Sequence, residues 1–197
     1  MKKIAVLISG GGTNLQSIID AVEAGKIKGE IRLVISNKED AYGLERARKH
    51  NICAVFDNDE ASIIDRLKSE EIDLVVLAGF LKILSSNFTR AFENKIINIH
   101  PSLIPAFCGK GYYGLKVHQS AVDYGVKVSG ATVHFVDENA DTGPIISQET
   151  VKVLPDDTAE ILQKRVLEVE HRILPMVVSK FCDNKIRVEG RKVFIEE

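Results

Sequence analysis

Short apolar runs alternate along the first half of the chain with stretches whose apolar residues recur at helical spacing. Ile4-Ala5-Val6-Leu7-Ile8 has no polar position and predicts a strand buried on both faces. Leu15, Ile18, Ile19 and Val22 then recur at helical spacing. Further strands are expected over Ile31–Ile35, Ile52–Phe56, Leu74–Ala78 and Ile96–Ile99. Helices are expected between them over Ala41–His50, Ala61–Ser69 and Phe88–Glu93. This rhythm predicts a parallel, doubly wound α/β sheet.

After His100 the texture changes. Pro101 to Tyr113 is rich in proline, glycine and aromatic residues and reads as a long shaped loop. Gly114 to Tyr124 predicts a short helix. Val126–Val136 and Ile145–Val153 predict two extended segments able to pair antiparallel across Asp141-Thr142-Gly143-Pro144. Asp157 and Glu160 have capping-box spacing before a long helix with Leu162, Val166, Val169 and Ile173 inward. Pro175 is expected to bend or end that helix. Ile186–Val188 and Val193–Ile195 predict a terminal hairpin. No repeat or linker divides the chain, so one domain over 1–197 is expected, with a phosphate-binding half over 1–100 and a second half over 101–197.

Charge and cysteines remove several function classes. The 26 Lys and Arg nearly balance the 28 Asp and Glu, and a net charge of -2 carries no electrostatic footprint for nucleic acid. The 3 cysteines are scattered without a Cys-x-x-Cys pair, which argues against zinc or thioredoxin-like chemistry and fits reduced thiols in a cytoplasm. The apolar run at the start stops at Ser9, too short for a signal peptide core. No stretch is long enough to span a bilayer.

Two clusters carry candidate chemistry. Ser9-Gly10-Gly11-Gly12-Thr13-Asn14 joins the first strand to the first helix. Its glycines allow a sharp turn and close approach, and the helix start offers free N–H groups to a phosphate. Thr13 and Gln16 have capping-box spacing. A dinucleotide fingerprint fits less well, because Leu15 stands where its third glycine would be. The second cluster is Asn98-Ile99-His100-Pro101-Ser102, at the carboxyl end of the fifth strand. Asn98 and His100 lie two apart and so share a strand face, where an amide and an imidazole could grip a carbonyl oxygen becoming an oxyanion. Asp141 in the later turn would orient His100 and raise its pKa if the two meet. For Asp137 and Glu138 a solvated acidic turn remains an equal reading.

The chain resembles the phosphoribosylglycinamide formyltransferase family of folate-dependent formyltransferases, from Ile4 to about Phe181. The matching pieces are Ser9–Asn14, Ser36-Asn37-Lys38, Gly43–Ala47, Val76–Phe80, Asn98–Pro105, Val133–Val136 and Asp141–Ile145. Asn-x-His-Pro-Ser-Leu-x-Pro with a later Asp-x-Gly-Pro marks the wider superfamily, and the glycine loop with Thr13 and Asn14 marks the ribonucleotide branch. The resemblance implies a Rossmann-like, mostly parallel sheet with C-terminal antiparallel strands and a long helix.

It also implies roles. Gly12, Thr13 and Asn14 would hold the ribonucleotide phosphate, and Glu170 the ribose hydroxyls. Leu81, Lys82, Ile83 and Leu84, together with Asn98, Asp137, Glu138, Asn139, Ala140 and Asp141, would line the folate pocket. Asn98, protonated His100 and Asp141 would be the catalytic trio, with 10-formyltetrahydrofolate as cosubstrate and no metal. The implied protein is a cytoplasmic monomer or homodimer acting on small molecules in purine biosynthesis, without nucleic-acid or membrane partners. A cis peptide is expected at Ile104-Pro105. The family's arginine near the folate tail has no counterpart in the acidic Asp57-Asn58-Asp59-Glu60, and Lys82 is the candidate substitute. Rival expectations are a formyl-folate hydrolase, which normally carries an extra N-terminal domain, a tRNA formyltransferase, which carries a C-terminal one, and a non-enzymatic nucleotide-binding module.

Overall fold

A computed structural model describes residues 1–196. The first strand, β1 (Lys2–Ile8), dictates the layers, because its side chains alternate between two apolar environments. Ile4, Val6 and Ile8 join one core, with residues of α1 (Thr13–Glu23), α2 (Tyr42–Lys49), α5 (Leu115–Tyr124) and α6 (Ala159–Cys182). Ala5 and Leu7 join the other, with residues of α3 (Glu60–Ser69) and α4 (Ser86–Ala91). With both faces covered, the buried stretch Ile4–Ile8 has no place for a polar residue.

The remaining strands are β2 (Gly29–Ser36), β3 (Cys53–Phe56), β4 (Leu74–Leu77), β5 (Ile96–His100), β6 (Val128–Phe135) and β7 (Ile145–Lys152). They form one sheet in the order β3-β2-β1-β4-β5-β6-β7. β1 to β5 are parallel, while β6 pairs antiparallel with β5 and β7 with β6. The chain runs outward from β1 to β3, then crosses back to β4. The reversal opens a crevice beyond the carboxyl ends of β1 and β4, where ligands of open α/β sheets sit. β8 (Ile186–Glu189) and β9 (Lys192–Ile195) form a separate hairpin. The expected doubly wound sheet, its antiparallel extension and the terminal hairpin are all present, and Ile104-Pro105 is cis.

Two helix details differ from expectation, and of the two outcomes expected at Pro175 one is removed. α1 has no side-chain cap, and Gly12 occupies the cap position in left-handed conformation (φ 72°). Gln16 turns instead to Asp20 and Arg46. At α6 the cap is Thr158, which accepts from the Ile161 N–H, not Asp157. Asp157 accepts from the Leu154 N–H and forms a two-point ion pair with Arg165. Finally, Pro175 does not end α6, which continues to Cys182. An interior proline costs about 3 kcal/mol. Leu174, Val177 and Val178 beside it are fully buried, each worth roughly 1.5–3 kcal/mol, so packing outweighs the penalty.

Because Thr158 caps the helix that packs across the main core, Thr158→Ala should lower the unfolding free energy by about 1 kcal/mol, while Thr158→Ser stays near wild type. Urea denaturation measures this directly. An unchanged midpoint for the alanine variant would mean that the hydroxyl does not cap α6.

Candidate active site

The crevice is a cavity of about 830 Å³. It is lined by the glycine loop, by Leu81–Leu84 and Asp137–Ala140, and by Asn98, His100 and Asp141. A second groove, of about 970 Å³, runs between α1 and α6 and shares Thr13 with the first. The trio does not line that second groove.

The glycine loop is drawn against α2. The Gly43 N–H donates to the Gly10 carbonyl at 3.0 Å, and Arg46 Nε to the Gly11 carbonyl at 2.7 Å. A Cβ on Gly12 would lie 2.8 Å from Gly43 Cα, so two glycines are needed where loop and helix cross. The first N–H groups of α1 have no partner within the helix, and Thr13 and Asn14 line the cavity. Asn14 Nδ2 donates to Glu170 Oε2 at 2.5 Å, a contact that spans 156 residues of sequence. Asn14 Oδ1 is buried with no hydrogen-bond partner among the described residues. Ser9 ties the end of β1 to two neighbouring segments. Its hydroxyl donates to Asn37 Oδ1 at 2.6 Å and accepts from the Leu81 N–H at 2.9 Å. At the rim, Lys82 Nζ donates to the Asn58 carbonyl at 2.8 Å, inside the acidic stretch.

Asn98 and His100 emerge side by side from the end of β5, as the two-residue spacing predicts. Asp141 reaches them from the β6–β7 turn, where it holds a left-handed conformation (φ 58°). Its turn is tightly built. Asp137 Oδ1 accepts from the Thr142 hydroxyl at 2.5 Å and the Asn139 N–H at 3.1 Å, and the Phe135 N–H donates to the Pro144 carbonyl at 2.9 Å. A Cβ on Gly143 would fall 1.8 Å from the Phe135 carbonyl oxygen, so no other residue fits there. The Asp141 carboxylate then meets four groups. Oδ2 accepts from the Gly109 N–H at 2.8 Å and lies 3.5 Å from His100 Nδ1. Oδ1 lies 3.4 Å from Asn98 Nδ2 and 3.6 Å from His134 Nε2. The expected meeting of Asp141 with His100 is therefore present.

Comparison with known proteins gives this geometry a family. The family model described as "Formyl transferase" matches residues 2–178. A phosphoribosylglycinamide formyltransferase from Haemophilus influenzae is 46% identical, with 100% of this chain and 94% of that protein covered. The chloroplastic phosphoribosylglycinamide formyltransferase from Vigna unguiculata is 44% identical, but this chain spans 62% of that protein's length. The crystal structure of glycinamide ribonucleotide transformylase 1 from Symbiobacterium toebii matches with a TM-score of 0.94 at 44% identity, covering 100% of this chain and 95% of that one. The chain belongs to the formyl transferase family.

In this formyl transferase, burial sets the charge states. His100 is almost wholly buried, and that burial holds its pKa below the usual histidine value. The Asp141 charge and the Phe107 carbonyl oppose the shift, while His134 adds to it. The expected upward shift of His100 is thus corrected. Asp141 pulls as foreseen, but loss of water outweighs it. Burial alone would raise the Asp141 carboxyl, yet its polar neighbours, the Gly109 N–H among them, hold it low. Glu170 is pushed up to about 7 by burial, against the Asn14 hydrogen bond.

The ring of His100 has a defined tautomer. Nε2 lies 2.9 Å from the Phe107 carbonyl, which can only accept, so Nε2 carries the proton. In the neutral ring the bare Nδ1 faces Asp141. Pattern reading missed His118 and the roles of Phe107 and Gly109, and named Ser9 and His134 only within longer segments. Two of these, the Phe107 carbonyl and the Gly109 N–H, act through backbone and leave no mark on composition. His134 does leave one, as a polar residue in the apolar run Val133–Val136.

The formyl transferase also carries His118 buried on α5, its Nδ1 without a hydrogen-bond partner among the described residues. Burial, then the neighbouring His100, lowers its pKa to about 4. Above about pH 6.5 both folded and unfolded states hold it neutral, so it has no effect on stability there. As pH falls below that value the unfolded chain takes up a proton that the folded one refuses. Between pH 7.5 and 5 this should cost about 2 kcal/mol. His118→Gln should lose correspondingly less stability than wild type over that interval, as read by urea denaturation at both pH values. Equal losses would place no proton-linked penalty at His118.

Proposed function

We propose that this chain transfers the formyl group of 10-formyltetrahydrofolate to the amine of phosphoribosylglycinamide, with Asn98, His100 and Asp141 as the catalytic trio. The observation that carries the reading is their convergence in one cavity whose lining has two chemically different parts. The Gly12, Thr13 and Asn14 part, with Glu170, suits a phosphate and ribose hydroxyls. The Leu81, Lys82, Ile83 and Leu84 strip with Asp137, Glu138, Asn139 and Ala140 suits a flat heterocycle read by backbone groups. The names and coverage of the relatives support the same substrates. On this reading the chain is a cytoplasmic enzyme of purine biosynthesis, a monomer or homodimer, working on small molecules alone.

The chemistry follows from the charge states. The glycinamide nitrogen attacks the formyl carbon, and the carbonyl π electrons move to oxygen. Asn98 gives that oxyanion an N–H; its hydrogen to Asp141, at 3.4 Å, is the more weakly held of the two and is free to be redirected. The nitrogen that attacks becomes positive and must lose a proton. Asp141 receives it at the cavity wall and passes it to His100 Nδ1, which is bare and 3.5 Å away. The imidazolium that forms places positive charge beside the oxyanion and is stabilised by Asp141. Collapse re-forms the carbonyl, breaks the bond from carbon to the folate nitrogen, and returns a proton to that nitrogen.

The test follows 10-formyltetrahydrofolate consumption by absorbance, with and without phosphoribosylglycinamide. Consumption should require the acceptor, and Asn98→Ala and His100→Ala should each lower kcat by roughly 10²–10³-fold with modest KM changes. Equal consumption without the acceptor would mean hydrolysis in place of transfer.

A further inference from the structure

We propose that His134 is a positioning residue whose imidazole dictates how the Asn98 amide faces and so aims an Asn98 N–H at the reacting formyl oxygen. The inference rests on the role given to Asn98 above. His134 lies on β6 directly opposite Asn98 on β5, and its side chain is essentially inaccessible to solvent. Its Nδ1 is 2.7 Å from the Phe135 carbonyl oxygen. A carbonyl only accepts, so Nδ1 holds the ring proton, and in the neutral ring Nε2 is a bare acceptor.

That acceptor is 3.1 Å from Asn98 Nδ2, a normal hydrogen-bond length. Asp141 Oδ1 is 3.6 Å from the same ring nitrogen, too far for a hydrogen bond. The amide nitrogen therefore sits between two acceptors, the imidazole and the carboxylate. The opposite amide orientation would set the Asn98 oxygen against a carboxylate oxygen and a ring lone pair, two repulsions in a buried site. The backbone of β6 thus fixes the His134 tautomer, the tautomer fixes the Asn98 amide, and one Asn98 hydrogen stays anchored while the other is presented near Asp141. A misaimed donor is costly, since displacements of about 1 Å can lower rates on the order of 10²-fold.

Three measurements decide it. In wild type, the ring ¹⁵N shifts of His134 should report the Nδ1-protonated tautomer; an Nε2-protonated ring could not accept from Asn98 and overturns the proposal without any variant. In steady-state kinetics, His134→Leu removes the acceptor and should lower kcat by up to about 10²-fold with little change in either KM. His134→Gln, which offers an amide oxygen near the Nε2 position, should recover most of that loss. In the Asn98→Ala background, His134→Leu should then cost little more. Thermal melts separate loss of fold from loss of rate. If His134→Leu is as harmful in the Asn98→Ala background as in wild type, or if His134→Gln is no better than His134→Leu, the residue serves packing and the proposal fails. If Asn98→Ala itself keeps full kcat, the role of Asn98 fails first and takes this inference with it.

Discussion

The site depends on keeping one ionised carboxylate, Asp141, in a place largely closed to water. An unpaired carboxylate there would cost several kcal/mol and would be protonated instead. Two donors offset this, the Gly109 N–H at 2.8 Å and the Asn98 amide at 3.4 Å, while His100 Nδ1 and His134 Nε2 stand close by. They come from three separate parts of the chain. Gly109 belongs to the long loop after β5, His100 and Asn98 to the end of β5, and His134 to β6. Satisfying Asp141 therefore assembles the loop, the strand end and the antiparallel extension in one arrangement. The Asp137-centred turn and the bare Gly143 position hold the carboxylate where all four can reach it.

The same burial that demands partners for Asp141 keeps His100 neutral at rest. A ring already charged would have nothing to gain from the proton of an attacking amine. With Nε2 held by the Phe107 carbonyl and Nδ1 bare, His100 has one open position, and it faces Asp141. Charge thus appears on the imidazole only when a proton is delivered through the carboxylate. The geometry links proton removal at one atom to positive charge beside the oxygen that turns negative.

Much of this was legible in the amino-acid order. The unbroken apolar runs Ile4–Ile8 and Leu74–Leu77 announced strands buried on both faces, and the two-residue spacing of Asn98 and His100 announced a shared strand face. The glycine triplet announced a tight entry into α1. What stayed hidden depended on tertiary distance or on backbone. Thr13 and Gln16 match a capping box, but the crossing of Gly12 and Gly43 forces a left-handed cap instead. Asp157 and Glu160 match a capping box as well, but Arg165 on α6 claims Asp157 for an ion pair and the cap falls to Thr158. The sign of the His100 shift could not be read from its partner alone, since the degree of burial decides it.

The most direct test is NMR titration of the His100 ring in wild type and in Asp141→Asn, which keeps the shape of the side chain and removes its charge. The wild-type ring should titrate below the ordinary histidine pKa of about 6.5, and the variant ring should titrate lower still, because the opposing pull of Asp141 on the buried imidazole is gone. A wild-type value above the ordinary one, or a ring pKa unmoved by loss of the carboxylate, would contradict the account.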